Sequence, residues 1–397
     1  MTKSRISCII RIIMDSIREI GENIKNSPDF HGSIAYDEPL APHTTMKVGG
    51  PAALFVSPAD VSSAAFAAAR CRAAGLKLFV LGGGSNLVMD DGGFCGAVLF
   101  SGGMKEISLQ PAGNCAAAGA SCSFEELRPS AAGASAAPVA PGNPSAAGCG
   151  GLSPADDDDV PFSVRCSVTL RCGAGASIAS ITEFCAEHGL WGFSRFAGIP
   201  GTAGGAAYMN ARCYGQDMSS VIAAVEYLNL TELSPDSPAD IAFLPKMYHN
   251  NGSGWDYKLS PFMGKDVLIS AVHLSLSCLA PDSLAGAEVP AEVSAFVREQ
   301  NRHFVLDRRE KGHFNAPSAG SVFKNNRAFG KPSGMLVDEA GLKGLSVGGA
   351  QVAPWHGNFI INTGSARAAD IRELVARVQR AVESRTGFML EPEIIFV

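Results

Sequence analysis

Phe196-Ala-Gly-Ile-Pro-Gly-Thr-Ala-Gly-Gly-Ala-Ala-Tyr-Met-Asn-Ala-Arg-Cys-Tyr-Gly215 carries five glycines, one proline and a single charge in twenty residues. Such a run is poor material for a regular helix or strand. It suits main chain that must come close to something flat or anionic, because glycine permits positive φ and has no Cβ to block the approach. Consecutive exposed N–H groups can then form a nest for phosphate. Pro200-Gly201 is a turn signal and Thr202 adds a hydroxyl. The plain alternative is a tight crossing of two backbones.

A second glycine loop lies upstream. Leu78-Phe-Val-Leu81 reads as a strand that runs directly into Gly82-Gly-Gly-Ser-Asn86, the arrangement that lets backbone N–H groups reach a phosphate. The spacing is not G-x-G-x-x-G. The following Leu87-Val-Met-Asp-Asp-Gly-Gly-Phe94 reads as strand and turn, not as a helix. A Rossmann-type dinucleotide fold is therefore disfavoured. Taken together, the two loops point to one phosphate-bearing ligand held between them.

Composition narrows the class. The chain has 397 residues, 46% apolar and 18% charged, so it is globular and long enough for two or three domains. A net charge of −6 argues against a nucleic-acid partner. Eleven cysteines, with no C-x-x-C pair, fit neither a metal site nor a disulfide framework and point to a reducing cytoplasm. The apolar Ser7-Cys-Ile-Ile-Arg-Ile-Ile-Met14 is interrupted by Arg11 and is too short to span a membrane. With Ile17, Ile20 and Ile24 it predicts an amphipathic helix to about residue 25, and Met14 is an alternative start.

Along the chain, Ala53-Leu-Phe-Val56, Gly96-Ala-Val-Leu-Phe100 and Lys105-Glu-Ile-Ser-Leu109 read as strands, and Val61–Ala74 as an alanine-rich helix. Residues 128–161 are dominated by Ala, Gly, Pro and Ser and close on Asp156-Asp-Asp-Asp159; they read as a disordered surface insertion with a solvated acidic run. Alternation returns at Ser163–Leu170, followed by a helix over Ser177–His188. Ser220–Leu230 is strand-like, the stretch to Asn251 irregular, and Val267–Leu274 a strand. A helix from Ala291 to about Asp307 precedes the charged run Arg308-Arg-Glu-Lys311, and a change of texture sets a domain boundary near residue 300. Helices near 335–340 and over 368–384 and a strand within 350–362 complete the last hundred residues. They end on the strand Leu390-Glu-Pro-Glu-Ile-Ile-Phe-Val397.

Five segments in this order, Thr45-Met-Lys-Val-Gly-Gly-Pro-Ala52, Leu81-Gly-Gly-Gly-Ser-Asn86, Gly198-Ile-Pro-Gly-Thr202, Gly320-Ser-Val-Phe-Lys-Asn325 and Leu390-Glu-Pro-Glu393, resemble the UDP-N-acetylenolpyruvoylglucosamine reductase (MurB) family over roughly residues 38–397. The resemblance implies an α+β protein. An N-terminal helical extension (1–37) would precede an FAD-binding region of the vanillyl-alcohol-oxidase (PCMH) type (38–300). A smaller α+β substrate domain (301–388) would follow, then a terminal strand (389–397) returning to the FAD-binding region. It also implies FAD as cofactor, NADPH as co-substrate, a UDP-sugar as substrate, and a cytoplasmic enzyme of peptidoglycan precursor synthesis, taken as a monomer with no metal, nucleic-acid or membrane partner.

In such enzymes hydride passes from flavin N5 to the enolpyruvyl carbon furthest from the carboxylate, and a protein acid protonates the neighbouring carbon. Ser321 falls on the family's proton-donating serine and Glu393 on its carboxylate, while Glu391 reads as structural. Lys258 stands where the family usually has Arg; charge compensation for the developing enolate survives, but the bidentate fork does not. Tyr257 and Asn325 match substrate-binding positions, and Lys311 is a partner for the diphosphate. Gly82, Gly83, Gly84, Ser85 and Asn86 would wrap the flavin pyrophosphate, with Ile199, Gly201, Thr202 and Gly205 lining the ring and phosphate side. Arg212-Cys213 replaces a small pair, commonly Gly-Ala. No tyrosine lies between Lys258 and Ser321, as in the subfamily without a tyrosine lid loop. Trp191, Trp255 and Trp355 read as packing. Two other readings stand beside this one: another FAD oxidoreductase of the same domain type acting on a sugar or hydroxy acid, and a nucleotide-sugar-binding protein with a decayed site.

Overall fold

A computed structural model describes residues 3–110, 166–233, 244–279 and 289–397, with backbone alone for 3–13 and 166. The low-complexity insertion expected at 128–161 lies outside the described residues.

The first layer grows from short apolar runs. Gly32–Pro39, Pro51–Pro58, Phe94–Phe100 and Leu78–Leu81 form a four-stranded sheet in that order; the first pair is antiparallel and the other two parallel. The helix Val61–Ala73 covers one face. Its run of alanines lets helix and sheet approach closely, and eight of its residues are buried. Asp60 caps it by accepting from Ser63 N–H at 2.7 Å. The N-terminal helix Lys3–Lys25 buries Ile17 and Ile24 in the same core, so this part of the extension is integral to the first domain.

The second layer is antiparallel throughout. Lys246–His249, Ile222–Asn229, Val267–Cys278, Cys166–Gly173 and Ile107–Leu109 follow one another in space. Val168, Leu170 and Cys172 face the core, while Arg171 points to the opposite face, as a strand's period of two requires. The helices Ile178–Glu187 and Ala291–Glu310 pack on the apolar face. The stretch before Asn251, read as irregular, includes the edge strand Lys246–His249; its exposed Lys, Met and His leave no alternating signal.

The boundary expected near residue 300 falls inside the helix Ala291–Glu310, which runs unbroken through it. Val293 and Val297 bury one end of this helix in the second-layer core, and Phe304 and Arg308 are buried further along. Arg308, Arg309 and Glu310 of the charged run belong to its last turn, and Lys311 is the C-cap.

The remaining chain forms a smaller α+β unit. Ser318–Ser321, Phe359–Asn362, Ala350–Val352 and Ser346–Val347 make an antiparallel sheet. The helix Ala368–Thr386 packs on it through Ile371, Leu374, Val375, Val378 and Val382. The last strand, Ile395–Phe396, leaves this unit and pairs in parallel with Leu87–Val88, just beyond the first glycine loop.

Candidate active site

The two glycine loops touch. A Cβ on Gly83 would lie 2.6 Å from the Cα of Gly201, and one on Gly82 would lie 2.9 Å from Thr202 Oγ1. Neither contact leaves room for a side chain. Gly84, at φ +59°, packs on the carbonyl of His43. Part of the glycine content is thus set by close crossing of backbones, the alternative that the residues themselves allowed. Gly205 differs: its Cβ would meet nothing nearer than Thr202 Oγ1 at 3.5 Å, and it lines the neighbouring cleft.

That cleft has a volume of about 300 Å³ and separates the first two sheets. Leu78, Phe79 and Val80 line it from the first sheet, Val267 and Ile269 from the second, and both glycine loops contribute to the lining. Gly82, Gly83, Gly84, Ser85, Asn86, Thr202 and Gly205 all line it; Ile199 and Gly201 do not. Gly201 is occupied with Gly83, and Ile199 packs against the second-layer core. Sequence reasoning passed over Tyr208, Met209, Lys265 and Asp266, which also line the cleft. No motif marks them; they arrive through packing.

The glycine-rich stretch 196–215 contains an element its composition did not advertise. Ala203–Tyr208 is a short helix capped by Thr202, whose hydroxyl accepts from Gly205 N–H at 3.5 Å. Gly204 is tolerated because its missing side chain makes room for Ala174, whose Cβ would otherwise be 2.8 Å away.

The cleft suits FAD. The N–H groups of Gly83, Gly84 and Ser85 donate no hydrogen bond within the described residues, and three such donors in succession are what a pyrophosphate takes. The apolar walls supply the flat, dry surface that fused rings need.

The catalytic candidates assemble at the junction of all three units. Glu393 N–H donates to Val322 C=O at 2.7 Å, placing the glutamate beside the residue that follows Ser321. Asn86 Nδ2 donates to the Glu393 carbonyl at 2.9 Å, and Ile395 N–H to the Asn86 carbonyl at 3.0 Å. The terminal strand therefore ties Ser321's strand to the first glycine loop. Ser321 ends a bulged strand after Gly320, at φ +76°, and is half-buried. Asn358 accepts from Phe323 N–H at 2.9 Å and donates to its carbonyl at 2.8 Å, holding the segment after Ser321 from the other side.

Lys258 Nζ stands 2.6 Å from Glu393 Oε1, with the two side chains 13% and 10% exposed. Lys258 sits in the turn Asp256–Leu259 at φ +54°, a region that costs a non-glycine residue about 1–2 kcal/mol. The hydroxyl of its neighbour Tyr257 accepts from Asn325 N–H at 3.2 Å, joining this turn to the Ser321 loop. Glu391, by contrast, pairs with Lys324 at 2.5 Å on an exposed face. Lys311 lies further out, paired with Asp307 at 2.7 Å and 5.3 Å from the centre of the Tyr214 ring. Of the tryptophans, Trp191 is buried, Trp255 packs against Tyr248 and Phe262, and Trp355 is partly exposed beside Gly312.

Known proteins share this layout. Residues 312–397 match the family described as UDP-N-acetylenolpyruvoylglucosamine reductase, C-terminal domain, and residues 52–154 match an FAD binding domain. The UDP-N-acetylenolpyruvoylglucosamine reductase of Treponema denticola is 35% identical over 374 residues, covering 94% of this chain and 96% of its own. The chain belongs to the UDP-N-acetylenolpyruvoylglucosamine reductase family. The Borreliella burgdorferi reductase is 29% identical across 90% of this chain and 92% of its own. The crystal structure of the reductase from Thermus caldophilus superposes with a TM-score of 0.58 at 25% identity, covering 92% of this chain and 99% of that one. The chain is thus a flavin oxidoreductase with FAD as its cofactor, and its fold is the expected FAD-binding domain followed by the family's α+β C-terminal domain. Within the described residues no helix is long and apolar enough to cross a membrane.

Proposed function

We propose that this reductase uses NADPH to reduce UDP-N-acetylglucosamine enolpyruvate to UDP-N-acetylmuramate, with Ser321 as proton donor and Lys258 and Glu393 beside the substrate carboxylate. Bound between Gly82–Asn86 and Thr202–Gly205, FAD would supply hydride chemistry at the enolpyruvyl carbon furthest from that carboxylate. The protein's own tasks are to hold the carboxylate, offset the enolate charge and deliver one proton.

The observation that carries this reading is the Lys258–Glu393 pair, with the Glu393 backbone bonded to Val322, next to Ser321, and to Asn86, which lines the cleft. A nearly dry ammonium is a strong partner for developing negative charge, because little solvent screens it. The carboxylate of Glu393 holds that ammonium in place, and the turn at Asp256–Leu259 fixes its backbone. Ser321 is a weak acid, so its hydroxyl gives up a proton as the Lys258 ammonium stabilises the alkoxide or relays a replacement. Asn325 and Tyr257 then border the sugar and Lys311 the diphosphate. The reaction proceeds in the cytoplasm on a monomer.

The two half-reactions test it. Anaerobic NADPH should bleach the flavin band, and the enolpyruvyl UDP-sugar should restore it with one equivalent of product. Restoration by oxygen and a sugar alcohol's oxidation, with no response to the UDP-sugar, would replace this reading with that of a sugar oxidase.

A further inference from the structure

Tyr214 and Gly215 turn the chain between two short strands, Arg212–Cys213 and Gln216–Asp217, whose register sets Arg212 opposite Asp217. Arg212 Nη1 donates to Asp217 Oδ2 at 2.5 Å, and the other carboxylate oxygen is buried without a partner among the described residues. The hairpin is pinned to the second domain. Gln216 Nε2 donates to the Gly192 carbonyl at 3.1 Å, and Arg195 Nη1 to the Tyr214 carbonyl at 3.3 Å. From this base the Arg212 guanidinium lies over the Tyr257 ring, its carbon 6.0 Å from the ring centre. A cation at that distance is attracted by the ring quadrupole.

Tyr257 has a span to hold. Its backbone belongs to the turn Asp256–Leu259, where Asn210 Nδ2 donates to the Asp256 carbonyl at 2.8 Å. Its hydroxyl reaches the C-terminal unit and accepts from Asn325 N–H at 3.2 Å. Asn325 is itself fixed, since its Oδ1 accepts from Ser333 N–H at 2.9 Å. One neutral hydrogen bond of that length is a modest tie for a half-buried ring that turns about two bonds. A planar cation seated on the ring face narrows those rotations. Asp217 keeps the cation in place and offsets its charge, which favours support of the ring over direct capture of an anion. Lys258 is the next residue, so a ring held in this way steadies the turn from which the ammonium meets Glu393. The hydroxyl proton of Tyr257 has no acceptor among the described residues and is available to a substrate oxygen.

We propose that Arg212 is a positioning residue for reduction of the sugar substrate: held by Asp217, its guanidinium seats the Tyr257 ring so that the phenol spans to Asn325 and Lys258 keeps its place opposite Glu393. The identity of the substrate rests on the function proposed above; the support of Tyr257 rests on the geometry at Arg212.

The test uses the FAD-loaded protein and follows the flavin band by stopped flow. Arg212→Met should lower the second-order rate constant for reoxidation by the enolpyruvyl sugar about 3- to 30-fold, while flavin reduction by NADPH stays near parental. Arg212→Lys, which keeps a cation beside the ring, should recover part of the loss. In a Tyr257→Leu background the same Arg212→Met change should cost less than about twofold, because no ring remains to be seated. Equal losses in the two backgrounds overturn the proposal, and so does parental reoxidation in Arg212→Met. Should that variant not fold, Arg212→Met combined with Asp217→Asn removes the unpaired carboxylate and is read against the same two backgrounds. Failure of the wider reading shows in the parent protein, whose reduced flavin the enolpyruvyl sugar would not reoxidise, and it overturns both.

Discussion

The ammonium of Lys258 and the carboxylate of Glu393 meet at 2.6 Å, one from a strained turn of the second domain and the other from the terminal strand. Neither is free to wander. The turn holds the lysine backbone, and the carbonyl and N–H of Glu393 itself are bonded to Asn86 of the first glycine loop and to Val322, next to Ser321. A partly buried pair of this kind is expensive to break from one side, at roughly 3–5 kcal/mol, because the remaining charge is left in a dry place.

Lys258→Met should therefore damage both stability and the second half-reaction. We expect a lowered melting temperature, flavin reduction by NADPH within about threefold of the parent, and reoxidation by substrate slowed by about 100-fold or more. Lys258→Arg should retain most of the reoxidation rate. Stopped-flow absorbance of the flavin reads both steps, and unchanged turnover in Lys258→Met would remove this residue from the site.

Ser321→Ala removes one hydroxyl from a half-buried strand end, so the fold should be retained. Flavin reduction by NADPH should stay near parental. Reoxidation by the enolpyruvyl sugar should fall by about 10²–10⁴, the range for removing a positioned proton donor. An equal fall in both steps would show that Ser321 acts on the flavin or on the fold and not as the acid.

Two glycines in one cleft should answer differently to alanine. Gly83→Ala forces a methyl to 2.6 Å from the Gly201 backbone, so the loops must separate; low yield and loss of bound flavin are expected. Gly205→Ala meets only Thr202 Oγ1 at 3.5 Å, so the melting temperature of the apoprotein should change little. Flavin affinity should nevertheless drop, since the methyl enters the cleft. Flavin retained at parental affinity in Gly205→Ala would mean that this wall does not contact the cofactor.

Acid stability should depend on a carboxylate remote from the chemistry. Glu226 accepts two hydrogen bonds from Arg171, at 2.8 and 2.7 Å, and pairs with His273 at 2.7 Å. Hydrogen bonding from Arg171, then from His273, holds its pKa at about 2. A lowered carboxylate pKa stabilises the fold above the unfolded value near 4.5, and the contribution fades as pH falls toward about 2. Glu226→Gln should cost about 2 kcal/mol at pH 7 and progressively less on acidification through that window. Urea denaturation at several pH values reads the difference; a cost independent of pH would assign it to packing.

The legible parts of this chain were local. Leu78–Leu81 with its glycine turn, the alternating strand leading to Gly173 and the long amphipathic helices all follow from residues within a few positions of one another. The edge strand Lys246–His249 was hidden because its side chains face solvent, so nothing in its pattern separates it from a loop. The helix crossing residue 300 hid the boundary because a change of side-chain texture need not coincide with a change of packing partner. In the site, Lys258 and Glu393 were recognisable one at a time, whereas Arg212 acquires its part only through Tyr257.

By itself the sequence determined the family and the two glycine-bearing bends, and it named the serine, glutamate and lysine proposed here for the chemistry. Tertiary structure alone decided that one bend packs on the other, that Asn86 grips the backbone of Glu393 across 307 residues, and that the Arg212 guanidinium lies over the Tyr257 ring. The reason is physical. Backbone preference is set by neighbours along the chain, but a contact between distant segments exists only after packing has met the entropy of closing the chain between them.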